Sequence, residues 1–298
     1  MERTTWKRTS LPSGCAAKKA KAVRRVCLGG KKTRGADSWR CATSRRAAKD
    51  SAGSLNYGFG FGVGGLLFPY YIGVVRELRS KGYIHKDTPT AGSSAGAMAA
   101  GIHISQLPDS KIESLTKDIM ADFRPKCRIG SLRKVVYKLM DRYLPDNIHE
   151  LASGRVMTVL CKLPTFEAVK VLHYKSKDDF ICAMLASSHV PLYMDCTLFV
   201  NYQHHHCIDA ILSDCIPVPE EQGLHLVRVS CFPRAFLQFF RRNSDIYYGK
   251  CGHERHQLGS LLNWIFNPPM VDAIYELIAQ GEDDASAWIA EQEGARLS

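Results

Sequence analysis

The pattern of apolar and polar positions divides this chain sharply. Residues 1–54 show no periodicity of either kind. Between Asp50 and Arg76 lie 25 uncharged residues, a length that could cross a bilayer as a helix. Gly53, Gly58, Gly60, Gly62, Gly64, Gly65, Gly73 and Pro69 are too many breakers for that. The stretch reads instead as a strand over 57–63 that alternates Gly with larger residues, a glycine turn, and a helix over 66–80. Pro69 sits in the first turn of that helix, and Gly82 is its C-cap. A short strand over 89–92 follows, then a small-residue helix from Ala95. Strand, helix and strand in this order form a βαβ crossover, so the two strands run parallel and the loops that follow them share one end of the sheet.

Further along, Leu132, Val135, Val136, Leu139, Met140 and Tyr143 recur at helical spacing, with Arg133, Lys134, Lys138 and Arg142 on the opposite face. That face reads as solvated, with anionic headgroups as the sharper alternative. Segments 155–163 and 166–174 predict a strand pair turning at Pro164. Residues 178–187 predict a helix, 195–200 with 206–208 a hairpin, and 224–230 a buried strand. Three C-terminal helices are expected over 258–266, 271–280 and 284–292, broken at Pro268-Pro269 and at Gly281. No repeat and no second core are visible, so residues 55–298 form one domain.

Composition changes the picture mainly at the N-terminus. The net charge of +11 suggests nucleic acid until it is located. Residues 1–50 carry fifteen Lys and Arg against Glu2, Asp37 and Asp50, so the rest of the chain is close to neutral. This Arg-, Ser- and Ala-rich tail over 1–54 suits an organelle transit peptide, plastid included, or a plain basic arm. No nucleic-acid module surrounds Trp6 and Trp39. The 11 cysteines are odd in number and lack a C-x-x-C pair. They argue for a reducing compartment, against a disulfide framework or zinc module. No apolar leader is present. An intracellular protein of plastid, cytoplasm or lipid surface is expected.

The chemistry centres on Gly92-Ser93-Ser94-Ala95-Gly96, the G-x-S-x-G pattern of a nucleophile elbow. The turn exposes the Ser94 hydroxyl, and Gly92 and Gly96 remove side chains where the backbone doubles back. A hydroxyl nucleophile needs an oxyanion hole and a base. The turn Gly62-Val63-Gly64-Gly65 offers backbone amides for the first. It carries no Walker lysine. For the base, a Ser–acid–His triad through His225, His253 or His256 competes with a Ser–Asp dyad. His204-His205-His206 alternates faces and cannot converge on one ion, so a hairpin turn is the simpler reading. Phe232, Phe236, Leu237, Phe239 and Phe240 with Arg234, Arg241 and Arg242 suit either a core or an interfacial patch.

Gly64-Gly65 opening a helix, Gly92-Ser93-Ser94-Ala95-Gly96, and Cys207-Ile208-Asp209-Ala210-Ile211 through Pro217 resemble, in this order, the motifs of the patatin-like phospholipase family. Residues 66–74, 186–191 and 259–262 add to the resemblance, which covers about 56–295. It implies an α/β fold, a three-layer α/β/α sandwich with a mainly parallel sheet. It also implies hydrolysis of fatty-acyl esters of phospholipid, galactolipid or triacylglycerol at a membrane or lipid-droplet surface, without cofactor or metal. Carried over by position, Ser94 is the nucleophile, Asp209 the base, and the Gly64 and Gly65 amides the oxyanion hole. His189 is expected near the site, or as a structural histidine. The chain departs from the family pattern at Val63, Leu67 and Phe68, where an Arg is lost. It departs again at Ala210-Ile211, where the family carries Asp-Gly-Gly or Asp-Gly-Ala. If position 210 requires positive φ, Ala210 costs about 1–2 kcal/mol. That supports an alternative, a lipid-surface protein with the fold but an impaired dyad.

Overall fold

A computed structural model describes residues 56–123 and 132–297. The expectations for the basic tail lie outside the described residues. The elements in order are β1 (Tyr57–Phe61), a 3-10 turn (Gly65–Leu67), α1 (Phe68–Ser80), β2 (Thr90–Ser93), α2 (Ala95–Ile104), α3 (Asp109–Phe123), α4 (Leu132–Tyr143) and α5 (Ile148–Ala152). There follow β3 (Val156–Leu163), β4 (Glu167–Val171), α6 (Lys177–Ser187), β5 (Val200–Tyr202), β6 (His205–Ile208) and a second 3-10 turn (Ala210–Leu212). The chain ends with β7 (His225–Pro233), α7 (Arg234–Phe239), β8 (Ile246–Tyr248), α8 (Leu258–Trp264) and α9 (Val271–Leu297).

The expected α/β class, with a mainly parallel central sheet flanked by helices, is the fold observed. The sheet order is β5-β6-β3-β2-β1-β7-β8, with β4 also paired to β3. Strands β3, β2, β1, β7 and β8 pair in parallel, while β4 and β6 pair antiparallel with β3 and β5 pairs antiparallel with β6. The crossover β1–α1–β2 forms as the pattern required. It also disposes of the membrane-span alternative over residues 56–75. Among the described residues no helix is long and apolar enough to cross a membrane.

The alternation in β1 has a packing cause. Phe59 and Phe61 are fully buried in the main core. Gly58, Gly60 and Gly62 face the other side, where residues 215–219 lie directly on the strand. A Cβ at Gly60 would sit 1.8 Å from the Pro217 carbonyl oxygen, and one at Gly62 3.0 Å from that of Cys215. Backbone on backbone at this distance leaves room for no side chain.

Two expectations are corrected. Residues 271–297 form one helix, unbroken at Gly281. Glycine is there for proximity: a Cβ at Gly281 would lie 2.1 Å from the Tyr70 carbonyl oxygen, and one at Gly73 1.9 Å from that of Ile278. The two bare positions let α1 and α9 touch along their backbones, and burial in the core outweighs the ~1 kcal/mol propensity cost of a helical glycine. Second, the first arm of the hairpin is Val200–Tyr202, later than 195–200. Asp195 accepts a hydrogen bond from the Thr197 N–H at 3.1 Å, and this side-chain turn takes residues 195–197 out of the ladder. The helix over 132–143 forms as expected, burying Leu132, Val136, Leu139 and Met140.

Candidate active site

The elbow is made by the collision of two elements. Strand β2 ends at Ser93 and α2 opens at Ala95. Ser94 between them takes φ 54 and ψ −121, a conformation that costs a non-glycine residue about 1–3 kcal/mol and persists only where the surroundings impose it. They do so here. A Cβ at Gly96 would stand 2.1 Å from the Phe61 carbonyl oxygen, and one at Gly92 2.4 Å from that of Gly96. The Ser94 N–H donates to the Ser187 hydroxyl at 2.8 Å, and that hydroxyl donates to the Val159 carbonyl. Ser187 thus ties the elbow to β3 from the end of α6. Ser187 lies in the 186–191 stretch of the resemblance, and nothing in its local spacing indicates that its hydroxyl is fully buried under the turn.

Asp209 arrives from the other side of β3. In the parallel β2–β3 pair Ser93 stands opposite Val159, and in the antiparallel β3–β6 pair Ile208 stands opposite Cys161. One residue further in each pairing, Ser94 and Asp209 both lie level with Leu160. The two residues come together on one cavity wall, where Ser94 favours the ionised form of the Asp209 carboxyl. Both residues are buried, at 4% and 6% exposure. The Asp209 N–H donates to the His189 carbonyl at 2.8 Å, and its Oδ1 accepts from the Ile211 N–H at 2.9 Å. Burial pushes the Asp209 carboxyl up to about 6, opposed by the hydrogen bonds from Ser94 and Ile211. The hydrogen bonds favour the ion and the dry surroundings disfavour it more.

Ala210 occupies the right-handed turn after Asp209 and is absent from the residues with positive φ. The strain conditionally expected at this position does not arise. The Ala210 side chain is fully buried against Ala91, Met157 and Val159 on the sheet face away from the main core.

The glycine loop closes the third side. Gly65 adopts φ 56, and a Cβ there would lie 2.3 Å from the Ile265 carbonyl oxygen, which accepts from the Leu66 N–H. Among the described residues no carbonyl accepts from the Gly64 or Gly65 amides. The loop is braced by Tyr71, whose hydroxyl donates to the Val63 carbonyl at 3.1 Å and accepts from the Cys231 N–H at 3.2 Å. Gly64, Gly65, Ser94 and Asp209 all line one cavity of about 890 Å³ including its open mouth. Its other walls include Met98, Val136, Val190, Met194, Phe232 and Phe266, so a largely apolar ligand fits.

The remaining sequence candidates fall elsewhere. His225, His253 and His256 do not line the cavity. His225 pairs with Tyr57 at the opposite end of β1, and His256 faces Glu276 and packs on Trp264. His204 is in the β5–β6 turn and His206 bonds Asn201. The His189 ring is buried, which lowers its pKa; it touches the site through its carbonyl alone. The aromatic patch divides: Phe232 and Leu237 are buried, while Phe239 and Phe240 are exposed at 83% and 57%.

With this geometry described, the relatives can be placed beside it. No protein-family model matches the chain. The chain is similar to several proteins named for a patatin-like phospholipase domain, as the motifs imply. It is 31% identical to human patatin-like phospholipase domain-containing protein 2 over 165 residues, covering 52% of this chain and 32% of that protein. It is 30% identical to human patatin-like phospholipase domain-containing protein 4 over 169 residues, covering 53% of this chain and 65% of that protein. Mouse 1-acylglycerol-3-phosphate O-acyltransferase Pnpla3 is 28% identical over 162 residues, covering 52% of this chain and 39% of that one. The matched region is thus less than two thirds of each relative's length. The solved structure of VipD from Legionella pneumophila aligns with a TM-score of 0.48 at 13% identity, over 80% of this chain and 67% of that chain.

Proposed function

We propose that residues 55–298 are a lipid acyl hydrolase domain that cleaves fatty-acyl esters through a Ser94–Asp209 dyad, with residues 1–54 a separate basic tail. The observation that carries this reading is the convergence of Ser94, held on a strained turn, and the buried Asp209 carboxyl on one apolar cavity. Ser94 Oγ attacks the ester carbonyl carbon as Asp209 takes its proton. The carbonyl oxygen gains negative charge and is met by the Gly64 and Gly65 amides. The C–O bond then breaks, Asp209 returns the proton to the departing alcohol oxygen, and the acyl group remains on Ser94. Water, losing a proton to Asp209, attacks this second ester; the bond to Ser94 Oγ breaks, Asp209 returns the proton to that oxygen, and the fatty acid leaves. A carboxyl near 6 suits both halves, because it is ionised at neutral pH yet basic enough to accept the proton.

Phospholipid, galactolipid and triacylglycerol fit the apolar walls. The relatives include one named as an acyltransferase and one as a transacylase, which favours testing an alcohol alongside water as the acyl acceptor. Ala210 is not among the residues with positive φ, which supports the catalytic reading over an impaired lipid-surface protein. The test is a mixed-lipid panel, with and without added acylglycerol acceptor, comparing wild type, Ser94→Ala and Asp209→Asn. Fatty acid or acylated acceptor should appear only with wild type. Turnover by Ser94→Ala equal to wild type would overturn the assignment.

A further inference from the structure

Beyond the reacting groups, the structure carries a second cavity on the face of β7 turned away from the main core. It is lined by Ile216, Arg228, Arg241, Arg242 and Asn243. Among the described residues, none of these three guanidiniums is within ion-pairing distance of a carboxylate. The nearby Asp245 carboxylate is engaged by the backbone N–H of Arg228 at 2.7 Å. Three unpaired forks converging on one hollow, with an acid already occupied, suit a phosphate.

The surroundings decide what kind of phosphate. Phe239 and Phe240 project beside these arginines at 83% and 57% exposure. They end an aromatic ladder that begins in the acyl cavity: Phe232 lines that cavity, Phe232 packs tilted against Phe236 at 5.0 Å, Phe236 against Phe240 at 5.0 Å, and Phe240 meets Phe239 edge to face at 5.2 Å. Ile211 and Leu212, in the turn after Asp209, are exposed at 58% and 60%. Isolated exposed apolar side chains are ordinary. An edge-to-face pair at the tip of a short helix, next to unpaired arginines and continuous with a cavity wall, matches the chemistry of a bilayer interface. There the rings enter the acyl boundary and the guanidiniums stay at headgroup level.

We propose that α7 and the loop after it dock this protein on a phospholipid bilayer. Phe239 and Phe240 insert between lipids, and Arg228, Arg241 and Arg242 hold the phosphate of an anionic headgroup. The docking names the surface for the acyl hydrolase reading and takes its meaning from it, but it is measured without turnover.

The experiment uses the full chain with Ser94→Ala in every arm, partitioned onto vesicles of phosphatidylcholine alone or with added phosphatidic acid. The basic first fifty residues are common to all arms, so their pull on anionic lipid cancels in the ratios. Each arginine near an anionic surface contributes about fivefold, so Arg241→Gln with Arg242→Gln should weaken partition onto phosphatidic acid vesicles roughly 30-fold and leave phosphatidylcholine almost unaffected. Phe239→Ser with Phe240→Ser should weaken both. Thermal unfolding confirms that each pair is folded, and the single variants Arg242→Gln and Phe239→Ala replace any pair that is not. Soluble glycerol phosphate should not displace the protein, because the bilayer supplies the apolar half of the site. Unchanged partition in the arginine pair, or displacement by stoichiometric glycerol phosphate, would overturn the docking. Neither result would touch hydrolysis of a soluble ester, so failure here is distinct from failure of the Ser94 assignment.

Discussion

Replacing Asp209 by Asn should stabilise the protein while removing its chemistry. Burial raises the Asp209 carboxyl from 3.8 to about 6. The native state therefore holds this proton more tightly than the unfolded chain, and ionising the group costs folding free energy. The sign follows from that. Stability is complete below about pH 4, falls as pH rises towards 6, and stays at the lower level above. A gap of about two units is worth about 3 kcal/mol at roughly 1.4 kcal/mol per unit. Asn is neutral throughout, and its carbonyl can still accept from the Ile211 N–H that now bonds Oδ1 at 2.9 Å. In paired urea titrations the variant should match wild type near pH 4 and exceed it by up to about 3 kcal/mol at pH 8. That equals roughly 6–12 °C in Tm for a domain of this size. Other titrating groups cancel in the difference. A difference that does not vary with pH, or a variant weaker than wild type at pH 8, would refute the account of a carboxylate held against its own solvation.

Four further outcomes follow from the same geometry. Turnover should rise with pH through about 6, as Asp209 ionises, and fluorophosphonate labelling should vanish in Ser94→Ala; a flat profile from pH 5 to 8 would speak against Asp209 as base. Gly96→Ala drives a Cβ to 2.1 Å from a backbone oxygen, so it should abolish labelling and cost about 3 kcal/mol or more in urea titration. Ser187→Ala leaves the Ser94 N–H and the Val159 carbonyl unpaired in the interior; a loss of about 1–3 kcal/mol and a fall in kcat with little change in KM are expected. Ala210→Gly should give no gain in activity and lose about 0.5–1 kcal/mol, whereas a clear rise in turnover would restore the impaired-dyad reading.

The crossover and the elbow were legible because their causes are local. Glycines at alternate positions of 57–62 and around Ser94 mark places where backbone meets backbone, and the pattern carries that directly. What the sequence hid depends on distant partners. Gly281 looks like a helix break because the residue that needs its bareness, Tyr70, is more than two hundred positions away. Ala210 looked like a departure from glycine, yet the conformation it adopts is open to any residue. Ser187 gave no signal of its own, since a buried serine and an exposed one are spelled alike. The aromatic run 232–240 could be read as core or surface because it is both, with Phe232 and Leu237 inside and Phe239 and Phe240 outside.

Strand β3 works as a ruler for Ser94 and Asp209. Serine and aspartate are each measured from it, one by a parallel pairing and the other by an antiparallel one, and their readings coincide at Leu160. Sliding β6 by a single notch would carry the carboxyl about 3.3 Å along the strand and turn its neighbour outward. The freedom to vary this arm therefore lies at its far tip, where Gln203 and His204 bend through positive φ. Length can be added or trimmed there without moving the acid.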